Sequence, residues 1–146
     1  MKRIAILAVC FATLAMTSCG ILNTSGNSAA QALGQTCGAA VLGLYQSYKS
    51  TGTLNLTNGN NLTHALALAT CYTQLSQNKD NSNYRKAFAS GLVLSSAGLI
   101  TNQNSAAFIN ALLGTSSLGT VNSSSSSVQV SKTTPAITGL IKTLDK

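Results

Sequence analysis

The chain has 146 residues, of which only 8% are charged, and its formal net charge is +7. It contains one histidine, two aspartates, no glutamate and no tryptophan. General acid–base catalysis and metal sites draw on histidines, carboxylates and cysteines held in groups, so we expect no enzyme activity, no cofactor and no metal site. The basic residues are scattered apart from Lys79, Arg85 and Lys86, and this distribution does not predict nucleic-acid binding.

The N-terminus has the organisation of a secretory signal peptide. Met1-Lys2-Arg3 is a short positive segment, and residues 4–16 follow without a charge. A membrane-spanning helix needs about 20 apolar residues, so this shorter run favours a cleaved signal over a permanent anchor. Its removal lowers the formal net charge from +7 to +5, because Lys2 and Arg3 are lost.

The end of this segment, Met16-Thr17-Ser18-Cys19, resembles the lipobox of bacterial lipoproteins. The resemblance covers residues 1–20 only and implies cleavage after residue 18. It also implies fatty acyl chains, such as palmitate, on Cys19. Cys10 is a poor alternative because too few apolar residues precede it and bulky Val9 would occupy the cleavage position. Ordinary secretion with a free Cys19 is the competing interpretation.

The same resemblance implies a location in the cell envelope. Gly20 replaces the aspartate that often retains such lipoproteins in the inner membrane, and no acidic run follows Cys19. We therefore expect a lipid-anchored protein of the outer membrane that faces the periplasm. Its membrane contact would be the lipid on Cys19, and its partner another envelope protein.

Residues 19–27 are predicted to form a lipidated tether, and residues 28–146 a single helical domain. The first helix is expected over residues 28–49, where apolar residues recur at three- and four-residue spacing. Gly34 and Gly38 weaken helix propensity within it. They are tolerable where a neighbouring helix packs closely.

Residues 50–61 are rich in Thr, Asn and Gly and predict a turn, with Asn61 as the cap of a second helix over residues 62–77. Residues 78–82 form a break. A third helix is expected over residues 83–100, and its second half is apolar on all sides, which predicts a central, buried helix.

A fourth helix is predicted over residues 105–113, with Gly114 as its C-terminal stop. The low-complexity, Ser-rich residues 115–134 predict a mobile loop or linker, with a small hairpin between Val121 and residues 128–130 as an alternative.

Pro135 fits the first position of a last helix, because its missing N–H has no intrahelical partner there. The fold class predicted for the domain is therefore all-α, a small bundle of about five helices.

Cys37 and Cys71 remain in the domain beside the lipidated cysteine, and an oxidising periplasm would allow a disulfide between them. An antiparallel pairing of the first two helices would bring the two cysteines to similar levels. Two buried free thiols are the alternative. His64 is expected to be a core or rim residue, and so are four tyrosines: Tyr45, Tyr48, Tyr72 and Tyr84.

These observations favour a non-catalytic envelope lipoprotein that acts as a protein-interaction or structural module. The alternative function is a binding module for a lipid or other apolar ligand held between helices. Such a ligand would need a cavity lined by residues such as Leu68, Tyr72, Phe88 and Leu92.

Overall fold

The computed structural model describes residues 26–57, 59–120 and 126–145, and of these it describes 120 and 126–132 by their backbone alone. The described residues contain five α-helices and no strand, which confirms the all-α bundle. The α-helices are α1 (Gly26–Thr51), α2 (Gly59–Gln77), α3 (Ser82–Ser95), α4 (Ser105–Gly114) and α5 (Ser126–Lys142). Short 3-10 helices follow α4 at Ser116–Thr120 and α5 at Thr143–Asp145.

Helices α1 and α3 run parallel and pack backbone against backbone. A Cβ atom on Gly34 would lie 3.1 Å from the Cα atom of Gly91, and one on Gly38 would lie 2.7 Å from the carbonyl oxygen of Leu92. The hydroxyl of Ser95 donates to the carbonyl oxygen of Gln35 at 2.7 Å. The two glycines of α1 are therefore the small residues that allow close approach of a neighbouring helix, as the sequence predicts.

Helices α1 and α2 form an antiparallel hairpin. At its closed end the amide of Asn61 donates to the hydroxyl of Ser47 at 2.9 Å. Towards its open end the thiol of Cys71 lies 3.8 Å from the carbonyl oxygen of Leu33. Residue numbers along α1 therefore fall as those along α2 rise. This is the antiparallel pairing that was expected to bring Cys37 and Cys71 to similar levels.

The central helix of the bundle is α1, and not the third helix as predicted. It contacts α2, α3 and α5, whereas α3 leaves Leu94 64% exposed. Helix α3 also ends at Ser95 and not near residue 100, because Ala97 and Gly98 adopt positive φ angles of 51° and 85°. After this turn Ile100 enters the core, whereas Leu94, one residue before the end of α3, is exposed.

Asn61 does not cap α2, because the helix begins two residues earlier, at Gly59. Its side chain is buried and also donates to the carbonyl oxygen of Asn55 at 3.0 Å, so it ties the turn to the hairpin. Among the described residues, Asn81 caps α3: its side-chain oxygen accepts from the backbone N–H of Tyr84 at 3.1 Å.

The prediction of one continuous loop over residues 115–134 is wrong for most of that segment. A 3-10 helix occupies Ser116–Thr120, and α5 begins at Ser126, so the alternative hairpin at residues 128–130 is also wrong. Pro135 lies inside α5 and not at its first position. Tertiary packing of the buried Thr133 and Ile137 outweighs the weak helix propensity of this segment. Residues 121–125 lie outside the described residues.

One apolar core holds the helices together. It includes Phe88 and Leu92 of α3, which are fully buried, and the 3-10 residue Leu118. Most of its other members are alanine, valine, leucine and isoleucine from α1, α2, α4 and α5. With one phenylalanine among its largest fully buried side chains, this core depends on close helix approach for its density.

Candidate functional site

The predicted cysteine pair meets at the α1–α2 interface. Cys37 and Cys71 are both fully buried, and both are free thiols in this structure. Burial raises the pKa of the Cys37 thiol well above 9.0, and a hydrogen bond with Cys71 raises it further. The hairpin thus brings the two cysteines together as expected, while a covalent bond between them remains a prediction.

Cys19 lies outside the described residues, as do the predicted signal peptide, residues 1–18, and nearly all of the predicted tether. The described chain begins at Gly26, seven positions after Cys19, as the first residue of α1. None of the described helices is both long and apolar enough to cross a membrane.

His64 packs against the backbone of α1. Its ring covers Gly43 so closely that a Cβ atom there would lie 2.7 Å from Cδ2 and 2.9 Å from Cε1. The side chain is half-buried at the hairpin, as expected for a rim residue. In the described part of the chain no three His, Cys, Asp or Glu side chains are grouped closely enough to hold a metal ion.

Asp145 ties the end of the chain to α1. The ammonium of Lys49 lies 2.6 Å from its Oδ1, and the hydroxyl of Tyr45 donates to the same oxygen at 3.1 Å. The hydrogen bond that Lys49 donates to Asp145 lowers the pKa of Asp145 and raises the pKa of Lys49. Nothing in the sequence predicts this cluster, because 96 positions separate the two charged residues.

The four tyrosines are core and rim residues, as predicted. All four are half-buried and pack against the apolar core. Burial, with a smaller effect of Cys71, raises the pKa of Tyr84. Tyr72 covers Gly119 of the first 3-10 helix, where a Cβ atom would lie 2.9 Å from its Cε1 atom. The tyrosines therefore pack against the core at several separate places and do not form one aromatic site.

A shallow apolar groove of about 410 Å³ opens to solvent between α4 and α5. Its lining is mostly small: Ala111, Gly114, Thr115, Pro135, Ala136, Gly139, Leu140 and Thr143. The residues expected to line a ligand cavity lie elsewhere. Leu68, Phe88 and Leu92 are fully buried in the core, and Tyr72 lies at its edge. These four residues therefore pack in or against the core and do not line this groove. The sequence did not indicate the groove.

The basic cluster surrounds the start of α3. Lys79 and Lys86 are exposed, while Arg85 is half-buried and donates a hydrogen bond to Oδ1 of Asn110 at 3.0 Å. Arg85 thereby joins α3 to α4. The two lysines are the cations that this cluster presents to solvent, and exposed Asp80 lies between them in sequence.

No known protein family, curated protein or solved structure matches this chain.

Proposed function

We propose that this chain is a non-catalytic lipoprotein of the cell envelope that acts as a protein-interaction or structural module. The observation that carries the proposal is the placement of the reactive side chains. Asp145 is engaged by Lys49, His64 packs on Gly43, and the two thiols are buried. In the described part of the chain these groups are engaged inside the bundle: the two thiols contact each other in the core, and Asp145 contacts Lys49 and Tyr45. Engagement of this kind supports a packing role and not acid–base or nucleophilic chemistry.

The anchor in this proposal is the lipid on Cys19, which would hold the bundle at the outer membrane, facing the periplasm. Two or more acyl chains on one residue give stable membrane attachment, whereas one chain gives only marginal binding. The positive n-region, the uncharged run and the lipobox-like Met16-Thr17-Ser18-Cys19 support this assignment.

Labelling of cells with a fatty-acid analogue tests the anchor. We expect incorporation in the wild-type chain and none in Cys19→Ser, which should also accumulate as uncleaved precursor. Cys10→Ser is the matched control and should label normally. Incorporation that survives Cys19→Ser and disappears in Cys10→Ser would move the processing site and contradict the proposal.

The surface offered to a protein partner is the α4–α5 groove. Its small residues leave the helix backbones open to an apolar segment of another protein, in the manner of helix-in-groove recognition. Gly139 is an exposed residue of its lining, and a Cβ atom there would meet no heavy atom within 4 Å. A substitution at Gly139 can therefore fill the groove without disturbing the fold.

Crosslinking in intact envelopes, followed by mild-detergent purification, tests this surface. Gly139→Gln should lose the crosslinked partner, while Ala106→Gln, on the exposed opposite face of α4, should keep it. The alternative function, binding of an apolar ligand, predicts a different result. A lipid would then copurify with the wild-type protein and be absent from Gly139→Gln. Crosslinking that is equal in both variants would exclude the groove as the partner surface.

A further inference from the structure

The start of α3 lies at the same end of the bundle as the start of α1. The contacts between the two helices pair Gly34 with Gly91 and Gln35 with Ser95. Because the helices are parallel, continuing this register towards their N-termini places Gly26 beside the residues that open α3. Lys79, Arg85 and Lys86 therefore lie at the end of the bundle where α1 begins, and we call these three residues the basic end.

The antiparallel hairpin of α1 and α2 independently places Lys79 at the end of the bundle where α1 begins. Cys71 lies beside Leu33, and α2 continues for six more residues to Gln77. That distance, about 9 Å at 1.5 Å per residue, brings the end of α2 down to the level of the first residues of α1. The turn that carries Lys79 and Asp80 follows at once.

The proposed lipid lies close to this end. Gly26 lies seven positions after Cys19, and seven steps of extended chain span at most about 25 Å. This step rests on the proposed function, because it requires the acylated Cys19. The opposite end of the bundle lies about 35 Å away along α1, at Lys49.

The two ends differ in their available charge. At the basic end Lys79 and Lys86 are exposed, Arg85 adds a third positive charge, and Asp80 is the one acidic residue. At the opposite end Asp145 neutralises Lys49, and Lys142 is the remaining exposed lysine among the described residues.

We propose that the basic end binds the anionic phospholipid headgroups of the leaflet that holds the lipid anchor. Surface charges interact over about 10 Å at moderate salt, so only an end held near the membrane can use them. Each lysine near an anionic surface strengthens binding about fivefold. The lipid anchor holds the basic end near the membrane surface. The lysines then orient the bundle so that α1 and α3 run from the membrane outwards.

Lysine labelling on the mature, acylated protein tests this orientation. The protein is reconstituted in vesicles of phosphatidylcholine alone or of phosphatidylcholine with phosphatidylglycerol. An amine-reactive reagent is added, and mass spectrometry follows each lysine. We expect Lys79 and Lys86 to react about fivefold more slowly in the anionic vesicles, and high salt to abolish the difference. Lys142 is the internal control and should react equally in both.

Charge variants give matched comparisons. Lys86→Gln should remove part of the protection at Lys79, Lys142→Gln should leave it unchanged, and Asp80→Asn should increase it. Equal labelling rates in the two vesicle types would overturn the proposal. Protection that appears only when lipopolysaccharide replaces phosphatidylglycerol would overturn it as well. The intact mass of the protein verifies the acyl chains beforehand, so a failure of lipidation is distinguished from a failure of headgroup binding.

Discussion

Gly34 of α1 and Gly91 of α3 face each other where the two parallel helices touch. A Cβ atom on Gly91 would lie 2.8 Å from the backbone nitrogen of Gln35 and 3.0 Å from the carbonyl carbon of Gln31. Both of these neighbours are backbone atoms, which cannot rotate away as a side chain can. The contact between α1 and α3 therefore depends on the absence of a side chain at these positions.

Replacement of Gly91 by alanine should destabilise the protein by about 1–3 kcal/mol, because the added methyl group forces the two backbones apart. This cost should exceed the roughly 1 kcal/mol that alanine gains over glycine within a helix. Gly139→Ala is the control and should stabilise the protein by up to about 1 kcal/mol, since nothing lies within 4 Å of its Cβ position. Urea unfolding of the mature chain measures both, and equal stability of the two variants would contradict the prediction.

A disulfide between Cys37 and Cys71 should form in the oxidising envelope and raise the free energy of unfolding by about 3–4 kcal/mol, because it closes a loop of roughly 35 residues. Unfolding of the exported protein with and without reductant measures this difference. The double variant Cys37→Ala/Cys71→Ala should show no effect of reductant. Two titratable thiols in the denatured protein, isolated without reductant, would exclude the bridge.

The reduced protein should lose stability as the pH rises above about 9.0, the ordinary pKa of a thiol. Burial raises the pKa of Cys37 in the folded state, so between the two pKa values the folded protein holds a proton that the unfolded chain has released. Stability then falls with pH, by at most about 1.4 kcal/mol per pH unit for one thiol. The comparison of reduced wild type with Cys37→Ala by urea unfolding checks the slope, which should be shallower in the variant just above pH 9.0. The raised pKa values of Tyr84 and Lys49 contribute a slope of their own above about pH 10.0 in both proteins.

Asp145→Asn should loosen the last turn of the chain from α1. The pKa of Asp145 is lowered in the folded state by its hydrogen bond from Lys49, so its contribution is present above pH 3.8 and is lost as the pH falls through the lower, folded value. The pair is exposed, so salt should weaken it and the effect on the melting temperature should be small. Hydrogen exchange in the last turn of α5 measures the change. Asp80→Asn, in the exposed turn, should leave that exchange unchanged.

Asn61→Asp should be more harmful than Asn61→Ala. The buried amide of Asn61 donates to the hydroxyl of Ser47 and to the carbonyl oxygen of Asn55. Alanine removes both hydrogen bonds, at a cost of about 1–3 kcal/mol, whereas aspartate places a carboxylate against the same carbonyl oxygen. The exposed Asn83 serves as the control site for alanine substitution in the same urea experiment. A smaller loss in Asn61→Asp than in Asn61→Ala would show that the amide is not the required donor.

The local sequence pattern predicted the five helices of the part of the chain that the structure describes, the position of α4 and the antiparallel pairing that brings Cys37 to Cys71. The three- and four-residue spacing of apolar residues, together with breaks rich in Asn, Ser and Gly, is a property of the sequence alone. The export signal and the lipobox resemblance are likewise read directly from residues 1–20. They lie outside the described residues and remain predictions.

Packing between helices distant in sequence decided the features of the fold that the local pattern did not predict. Hydropathy indicated a buried third helix, but α1 is the helix that contacts α2, α3 and α5. Helix α3 ends before the left-handed turn at Ala97 and Gly98, and its Leu94 is exposed. The Ser-rich segment becomes helical from Ser126 where a local pattern predicts a loop. The cluster of Lys49 and Asp145 and the level of the basic end beside the start of α1 depend on how helices distant in sequence are arranged. Such contacts arise when the whole chain packs, so periodicity along a single helix cannot predict them.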